Sequence, residues 1–162
     1  MQSRVVACIV GLCIASVAVA ATPSETQRTL LVGKRAPDFE LETIDGKTVK
    51  LSSLKGHVVV LDFWATWCAP CVKMVPRLNA WHRKGAIVIG IAEDEEPAVR
   101  AFAKETKLAY PVVLDPAQDA LRKSQPQGLP MTAIVDKEGV IRFAEVGAGE
   151  LDQIEKAIDS LL

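Results

Sequence analysis

The chain has few histidines, few aromatic residues and almost no net charge. Its 162 residues include two histidines, 5% are aromatic, and the formal net charge is −1. Such a charge balance gives no support to nucleic acid or an acidic surface as a partner. The glycine-rich fingerprint of a flavin or nicotinamide site is also missing. We therefore expect no bound cofactor of either kind.

Cysteines are few and unevenly placed, at Cys8, Cys13, Cys68 and Cys71. The first two lie in residues 1–21, an apolar run that ends in a small-x-small cleavage signal, as in a secretory signal peptide. The alternative is an uncleaved anchor, because about 17 apolar residues can just span a bilayer. After cleavage, Cys68 and Cys71 would be the only cysteines left. Two cysteines this close together are no disulfide framework, so we predict that they carry chemistry.

Residues 58–71 are the stretch around which the chain is organised. An unbroken apolar run begins at Val58, which is typical of a strand buried on both faces of a sheet. It leads into Cys68-Ala69-Pro70-Cys71, and proline is favoured in the first turn of a helix. There the helix dipole and the free amides favour a thiolate. A second cysteine one turn further along can close on the first, so the pair is predicted to be redox-active.

Strand and helix patterns alternate along the rest of the chain. Residues 22–32 are interpreted as a linker, and 39–51 as a hairpin around Asp45-Gly46. Further strands are predicted at 86–92, 111–114, 131–136 and 140–146, and helices at 69–82, 95–107, 117–123 and 149–162. This alternation predicts one α/β domain, from about residue 33 to residue 162, with a mixed, mostly parallel sheet flanked by helices.

Two segments carry a family resemblance. Asp62 to Cys71, DFWATWCAPC, resembles the active-site strand and loop of the thioredoxin superfamily, and Gly128 to Asp136, GLPMTAIVD, resembles its cis-proline strand. The leading hairpin and the extra helix and strand at 95–114 are similar to the TlpA/ResA-like (redoxin) branch of exported thiol–disulfide oxidoreductases. The resemblance runs from about Gly33 to the C-terminus and implies a thioredoxin-like fold.

The resemblance also implies roles for individual residues. Cys68 is expected to be the exposed, attacking thiolate, and Cys71 the resolving thiol that breaks the mixed disulfide. Trp67 is expected to shield the sulfurs beside the docking surface. Pro130 is expected to follow a cis peptide bond and to present the adjacent backbone to a partner peptide, the alternative being an ordinary trans turn. The expected substrate-binding residues are therefore Trp67, Pro70, Leu129 and Pro130.

Two positions depart from the pattern of this branch. The branch commonly has asparagine at the position of Asp62 and an acidic residue at the position of Met74, which is expected here to pack in the core. An ionised carboxylate without a partner is costly in a buried run, so the pKa of Asp62 is expected to rise. A raised pKa suits a proton acceptor for Cys71. The alternative is an Asp62 that reaches solvent at the end of the strand.

The residues between the cysteines favour a reductant. Ala69 and Pro70 carry neither a charge nor a side-chain donor that would stabilise a thiolate, unlike strong oxidants, whose thiolate pKa is about 3.5. Thioredoxin-like sites lie near about −270 mV and the strong oxidant near about −120 mV. The resemblance implies an exported substrate such as apocytochrome c, a membrane thiol as electron donor, and a monomer in the periplasm.

Other functions for the same cysteines are less well supported. A peroxiredoxin needs threonine or serine three residues before its cysteine and proline seven before, where this chain has Ala65 and Leu61. A passive structural disulfide would close a tiny loop and stabilise little.

A soft-metal carrier is the alternative that stays open. Cys68 and Cys71 could bind copper or zinc together with Met74 or Met131. The usual histidine partner is missing, since His57 and His82 are expected to face solvent.

Overall fold

The computed structural model describes residues 20–115 and 119–162. The predictions for Cys8, Cys13 and most of the signal segment lie outside these residues. Within these two ranges, thirteen elements follow one another: α1 (Pro23–Leu31), β1 (Glu40–Glu42), β2 (Thr48–Lys50), a 3₁₀ helix (Leu51–Leu54), β3 (Val59–Trp64), α2 (Ala69–Lys84), β4 (Ile87–Ala92), α3 (Glu96–Thr106), β5 (Val112–Leu114), α4 (Asp119–Ser124), β6 (Met131–Val135), β7 (Ile141–Val146) and α5 (Leu151–Leu161).

The main sheet has the strand order β5-β4-β3-β6-β7. β3 and β4 are parallel, as are β4 and β5, while β6 is antiparallel to both of its neighbours. Four of the five strands therefore run in one direction, which confirms the prediction of a mixed, mostly parallel sheet. β3 is central, and all six of its residues are buried, as its apolar run predicted.

The predicted hairpin and the inserted helix–strand unit are both present. β1 pairs antiparallel with β2, and Gly46 in their turn has a φ of 76°. The inserted unit, α3 with β5, extends the sheet beyond β4. The hairpin is joined to this edge because the Ile44 amide donates to the Val112 carbonyl at 2.9 Å.

A hydrophobic core lies on each face of the sheet. Val59, Leu61 and Phe63 of β3 belong to one core. Alternate residues of β3 belong to the other, where Trp64 lies with Cys71 and with Met74, which is fully buried as predicted. Because β3 is buried on both faces, it fixes the position of the loop that follows it. That loop carries the cysteines.

The interpretation of residues 22–32 as a linker is wrong, because Pro23–Leu31 forms α1. The Glu25 amide donates to Thr22 Oγ1 at 3.2 Å, and the Thr22 amide donates to Glu25 Oε2 at 2.8 Å. This capping box, with Pro23 in the first turn, is the sequence signal that could have identified the helix. Leu31 is buried, so the helix is part of the domain.

Two further details concern His82 and the helices. His82 does not simply face solvent, because it is half-buried and its Nδ1 accepts a hydrogen bond from the Val88 amide at 3.3 Å. α2 continues through Pro76 to Lys84. Among the helices of the described ranges, none combines the length and the apolar character needed to cross a membrane.

Candidate active site

Cys68 is the N-cap residue of α2, as the position of Pro70 predicted. Its sulfur accepts a hydrogen bond from the Cys71 amide at 3.3 Å. Cys68 and Cys71 are joined by a disulfide, with their Cα atoms 5.3 Å apart. In the reduced protein, the same amide and the positive end of the helix dipole would face a thiolate on Cys68, and both lower the pKa of a thiol.

The disulfide is more enclosed than the sequence predicted. Cys68 and Cys71 are each only 4% exposed, so Cys68 is not the exposed member of the pair in this oxidised form. The S–S bond joins the Cys68 sulfur to Cys71, whose side chain faces the core. Trp67, in contrast, is 70% exposed, which leaves most of its ring free to contact a partner. Nearby, Val72 adds a second exposed apolar side chain at 40%.

An aspartate that sequence analysis missed holds the loop before the cysteines. The Thr66 amide donates to Asp94 Oδ2 at 2.5 Å. Asp94 follows β4, which lies beside β3, so the contact links the ends of two parallel strands. Carboxylates are common in such loops, and nothing in the sequence distinguished this one from Glu93 or Glu95.

The Leu129–Pro130 peptide bond is cis, as predicted. Met131 pairs with Phe63 near the end of β3, so Leu129 and Pro130 lie at the edge of the sheet from which the cysteine loop starts. The Pro130 carbonyl accepts from the Gly147 amide at 2.8 Å. Within the described residues, neither main-chain group of Leu129 has a hydrogen-bond partner.

Asp62 is buried beneath this site. It is 2% exposed, and its Oδ1 has no hydrogen-bond partner within the described residues. Burial alone raises the pKa of Asp62 to about 7. These observations exclude the alternative of a solvent-facing carboxylate. By the alternation of β3, its side chain lies on the same face as Trp64, in whose core Cys71 is packed.

Three neighbours of Asp62 were not recognised from the sequence. Gly90 of β4 and Thr132 of β6 flank it in the sheet, and Thr132 Oγ1 is also buried without a partner within the described residues. Tyr110 is close enough that the Asp62 charge adds to burial in raising the pKa of its hydroxyl. In the sequence, each of these residues is an ordinary member of a strand or loop. Their proximity depends on strand register, which the sequence pattern did not predict.

The soft-metal alternative receives little support from these side chains. In residues 20–115 and 119–162, His, Cys, Asp and Glu form no group of three or more that could hold a metal ion. Met74 shares a core with Cys71, but Met131 packs in the core on the opposite face of the sheet. Met131 therefore cannot join the cysteines in one site without rearrangement of the sheet, which leaves Met74 as the one methionine of the two on their side of it.

Comparison with known proteins identifies relatives over most of the chain. The AhpC/TSA family profile matches residues 32–144. Thiol-disulfide oxidoreductase ResA from Bacillus cereus is 35% identical over 129 residues, which cover 76% of this chain and 75% of that protein.

Solved structures agree in fold. A putative thiol:disulfide interchange protein DsbE from Chlorobium tepidum has a TM-score of 0.74 and 31% identity, covering 80% of this chain and 96% of that one. The exposed lipoprotein thioredoxin Etrx1 from Streptococcus pneumoniae has a TM-score of 0.69 and 30% identity, covering 77% of this chain and 100% of that one. The fold is thus thioredoxin-like, and the chain belongs to the AhpC/TSA family, among the thiol–disulfide oxidoreductases related to ResA.

Proposed function

We propose that this oxidoreductase is an exported reductant of protein disulfides, with Cys68 as its attacking thiolate. The observation that carries the proposal is the contact between Cys68 Sγ and the Cys71 amide at the start of α2. It stabilises negative charge on one sulfur of a pair that is already within bonding distance. A thiolate so placed can attack a disulfide, and the second cysteine can release the product.

The proposed reaction is two successive exchanges. The Cys68 thiolate attacks one sulfur of the substrate disulfide, a mixed disulfide forms, and the other substrate sulfur leaves as a thiolate. Cys71 then attacks Cys68 Sγ, which releases the second substrate thiolate and leaves the Cys68–Cys71 disulfide. Two electrons have passed to the substrate. Asp62 accepts the proton from Cys71 in the second step, and a carboxyl with a pKa of about 7 suits that transfer near neutral pH.

Trp67, Pro70, Leu129 and Pro130 form the proposed docking surface. Trp67 offers an exposed ring to an extended peptide. Leu129 offers its main-chain amide and carbonyl, neither of which pairs with another described residue. Main-chain hydrogen bonds of this kind bind peptides without strict sequence requirements. The surface therefore fits a cysteine-containing protein in an unfolded or extended segment, and apocytochrome c belongs to that class.

The direction of electron flow and the location are part of the proposal. Ala69 and Pro70 add no charge beside the sulfurs, which supports a potential near that of thioredoxin, about −270 mV. The signal-like segment 1–21 supports export. A membrane thiol carrier would then return the electrons, because no glutathione pool is expected outside the cytoplasm. No bound cofactor is required, and we propose that the protein acts as a monomer.

Titration of the mature protein in redox buffers tests this function. The reversible two-electron potential is expected at or below about −270 mV. The Cys71→Ser variant is the control, since it cannot form the disulfide and should show no such transition. A potential of about −150 mV or higher would contradict the reductant and point to an oxidase or isomerase. Failure of the pair to titrate reversibly would favour the metal carrier instead.

A further inference from the structure

Gln27 of α1 is a fully buried polar residue whose side chain spans two points of one loop. Its Nε2 donates to the Ser124 carbonyl at 3.2 Å, and its Oε1 accepts from the Gln127 amide at 2.9 Å. Ser124 ends α4, and Gln127 lies three residues before Pro130. The segment 124–130 is thus held by a side chain about 100 residues earlier in the chain.

α1 is itself fixed to the end of β7. Ser24 Oγ donates to Glu145 Oε1 at 2.7 Å, and Arg28 forms an ion pair with the buried Glu145 carboxylate. The residue directly after β7 also holds the other side of the loop, because the Gly147 amide donates to the Pro130 carbonyl at 2.8 Å. A fixed helix and a fixed strand therefore bracket the segment that leads to Leu129.

We infer that Gln27 is a positioning residue for substrate docking, which places the Leu129 main chain where an extended peptide can pair with it. The inference rests on the proposed function, since it assumes that peptides dock at Leu129. A Gln127 amide bonded to a buried side chain leaves that residue little freedom to move. Loss of both bonds would free the chain between Ser124 and Leu129 and weaken peptide binding without altering the cysteines.

The Gln27→Met variant removes both hydrogen bonds at nearly constant side-chain length. Gln27→Asn shortens the side chain by one methylene group, so its amide cannot reach both the Ser124 carbonyl and the Gln127 amide, and it buries no charge. It serves if the methionine variant does not fold. Ser24→Ala is the matched control: it weakens the attachment of α1 to β7 but leaves both bonds of Gln27 in place.

The experiment uses the Cys71→Ser background and an extended peptide whose single cysteine carries thionitrobenzoate. Attack by the Cys68 thiolate forms a bond to the peptide sulfur and expels the coloured thionitrobenzoate thiolate with its electron pair. The initial rate against peptide concentration gives a half-saturating concentration and a limiting rate. The small reagent dithiobis-nitrobenzoate, which has no peptide to dock, reports the reactivity of Cys68 alone.

Gln27→Met is expected to raise the half-saturating peptide concentration about fivefold, the scale of one neutral hydrogen bond, and Gln27→Asn about twofold. The limiting rate and the reaction with the small reagent should change less than the half-saturating concentration. Equal half-saturating concentrations in parent and variants would overturn the inference while leaving disulfide exchange intact. An equal rise in Ser24→Ala would also overturn it, because the effect would then come from α1 as a whole. A parent protein that reacts with the small reagent but never saturates with peptide would overturn the proposed docking surface as well.

Discussion

Asp62 lies beside Gly90 in the parallel pairing of β3 with β4, and the space above Gly90 is filled by aromatic side chains. A Cβ at Gly90 would come within 2.8 Å of Trp64 Nε1 and 3.1 Å of Tyr110 Cε2. On one side of the Asp62 carboxyl lies Gly90, which has no side chain. On the other side lies Thr132, whose hydroxyl has no hydrogen-bond partner within the described residues. Burial is the cause of its raised pKa.

Gly90→Ala is predicted to destabilise the protein by about 1–3 kcal/mol, the usual cost of overpacking a core. The added methyl group must displace the Trp64 indole or the Tyr110 ring, and both are buried. Urea denaturation monitored by circular dichroism measures the loss. Gly149→Ala is the control, because nothing lies within 4 Å of its added Cβ. Equal stability of the two variants would show that the Gly90 contact is not tight.

Asp62→Asn is predicted to stabilise the oxidised protein increasingly as the pH rises. A carboxyl whose pKa is raised on folding, from 3.8 to about 7, favours the folded state when protonated. This contribution is complete below pH 3.8 and is lost as the pH rises through about 7. The stability gap between variant and wild type should therefore widen by roughly 2–3 kcal/mol from about pH 5 to about pH 8. Urea midpoints of both proteins at the two pH values test this, and a constant gap would contradict it.

The same substitution should change how the disulfide is reduced. When dithiothreitol attacks Cys68, Cys71 leaves as a thiolate and needs a proton, which Asp62 can supply while it is protonated. The rate constant for reduction of the disulfide is divided by the fraction of dithiothreitol present as thiolate, which removes the titration of the reagent itself. In the wild type, this corrected rate constant should fall as the pH rises through about 7. In Asp62→Asn it should be about tenfold lower at about pH 6 and independent of pH. Stopped-flow tryptophan fluorescence measures the pH profile of the rate constant for the wild type and for the variant. If the inflection near pH 7 persists in the variant, it belongs to a group other than Asp62.

Arg28→Ala is predicted to lower the free energy of unfolding by about 1–2 kcal/mol, because it leaves the buried Glu145 carboxylate without its cation. Ser24 still donates to Glu145, which limits the loss. Arg100→Ala is the matched control, since Arg100 pairs with Glu96 on an exposed helix surface and such pairs contribute about 0.5 kcal/mol or less. Adding Glu145→Gln to Arg28→Ala should recover part of the stability. Thermal unfolding of the wild type and the three variants measures these differences, and equal losses in Arg28→Ala and Arg100→Ala would contradict the prediction.

Local pattern in the sequence was enough to predict several features. The apolar run of β3, the start of α2 at the cysteines and the hairpin around Gly46 each combine composition with a turn or cap signal. α1 was missed because one of its two buried positions is taken by Gln27, whose amide is satisfied by hydrogen bonds, so the helix lacks a clear apolar stripe. The environment of Asp62 was only partly predicted. Its burial follows from the apolar run of β3, but its neighbours in the sheet depend on the register of β3 with β4 and β6, which the sequence pattern does not show.

The attachment of α1 to β7 has a consequence for the order in which the chain can assemble. Ser24 binds Glu145 across 121 residues of sequence, and Gln27 binds Gln127 across 100. These partners are synthesised long after α1, so this helix can dock only when the strand β7 exists. Contacts this distant in sequence form slowly, because a long loop must close first. α1 therefore docks late in folding and joins early and late segments of the chain.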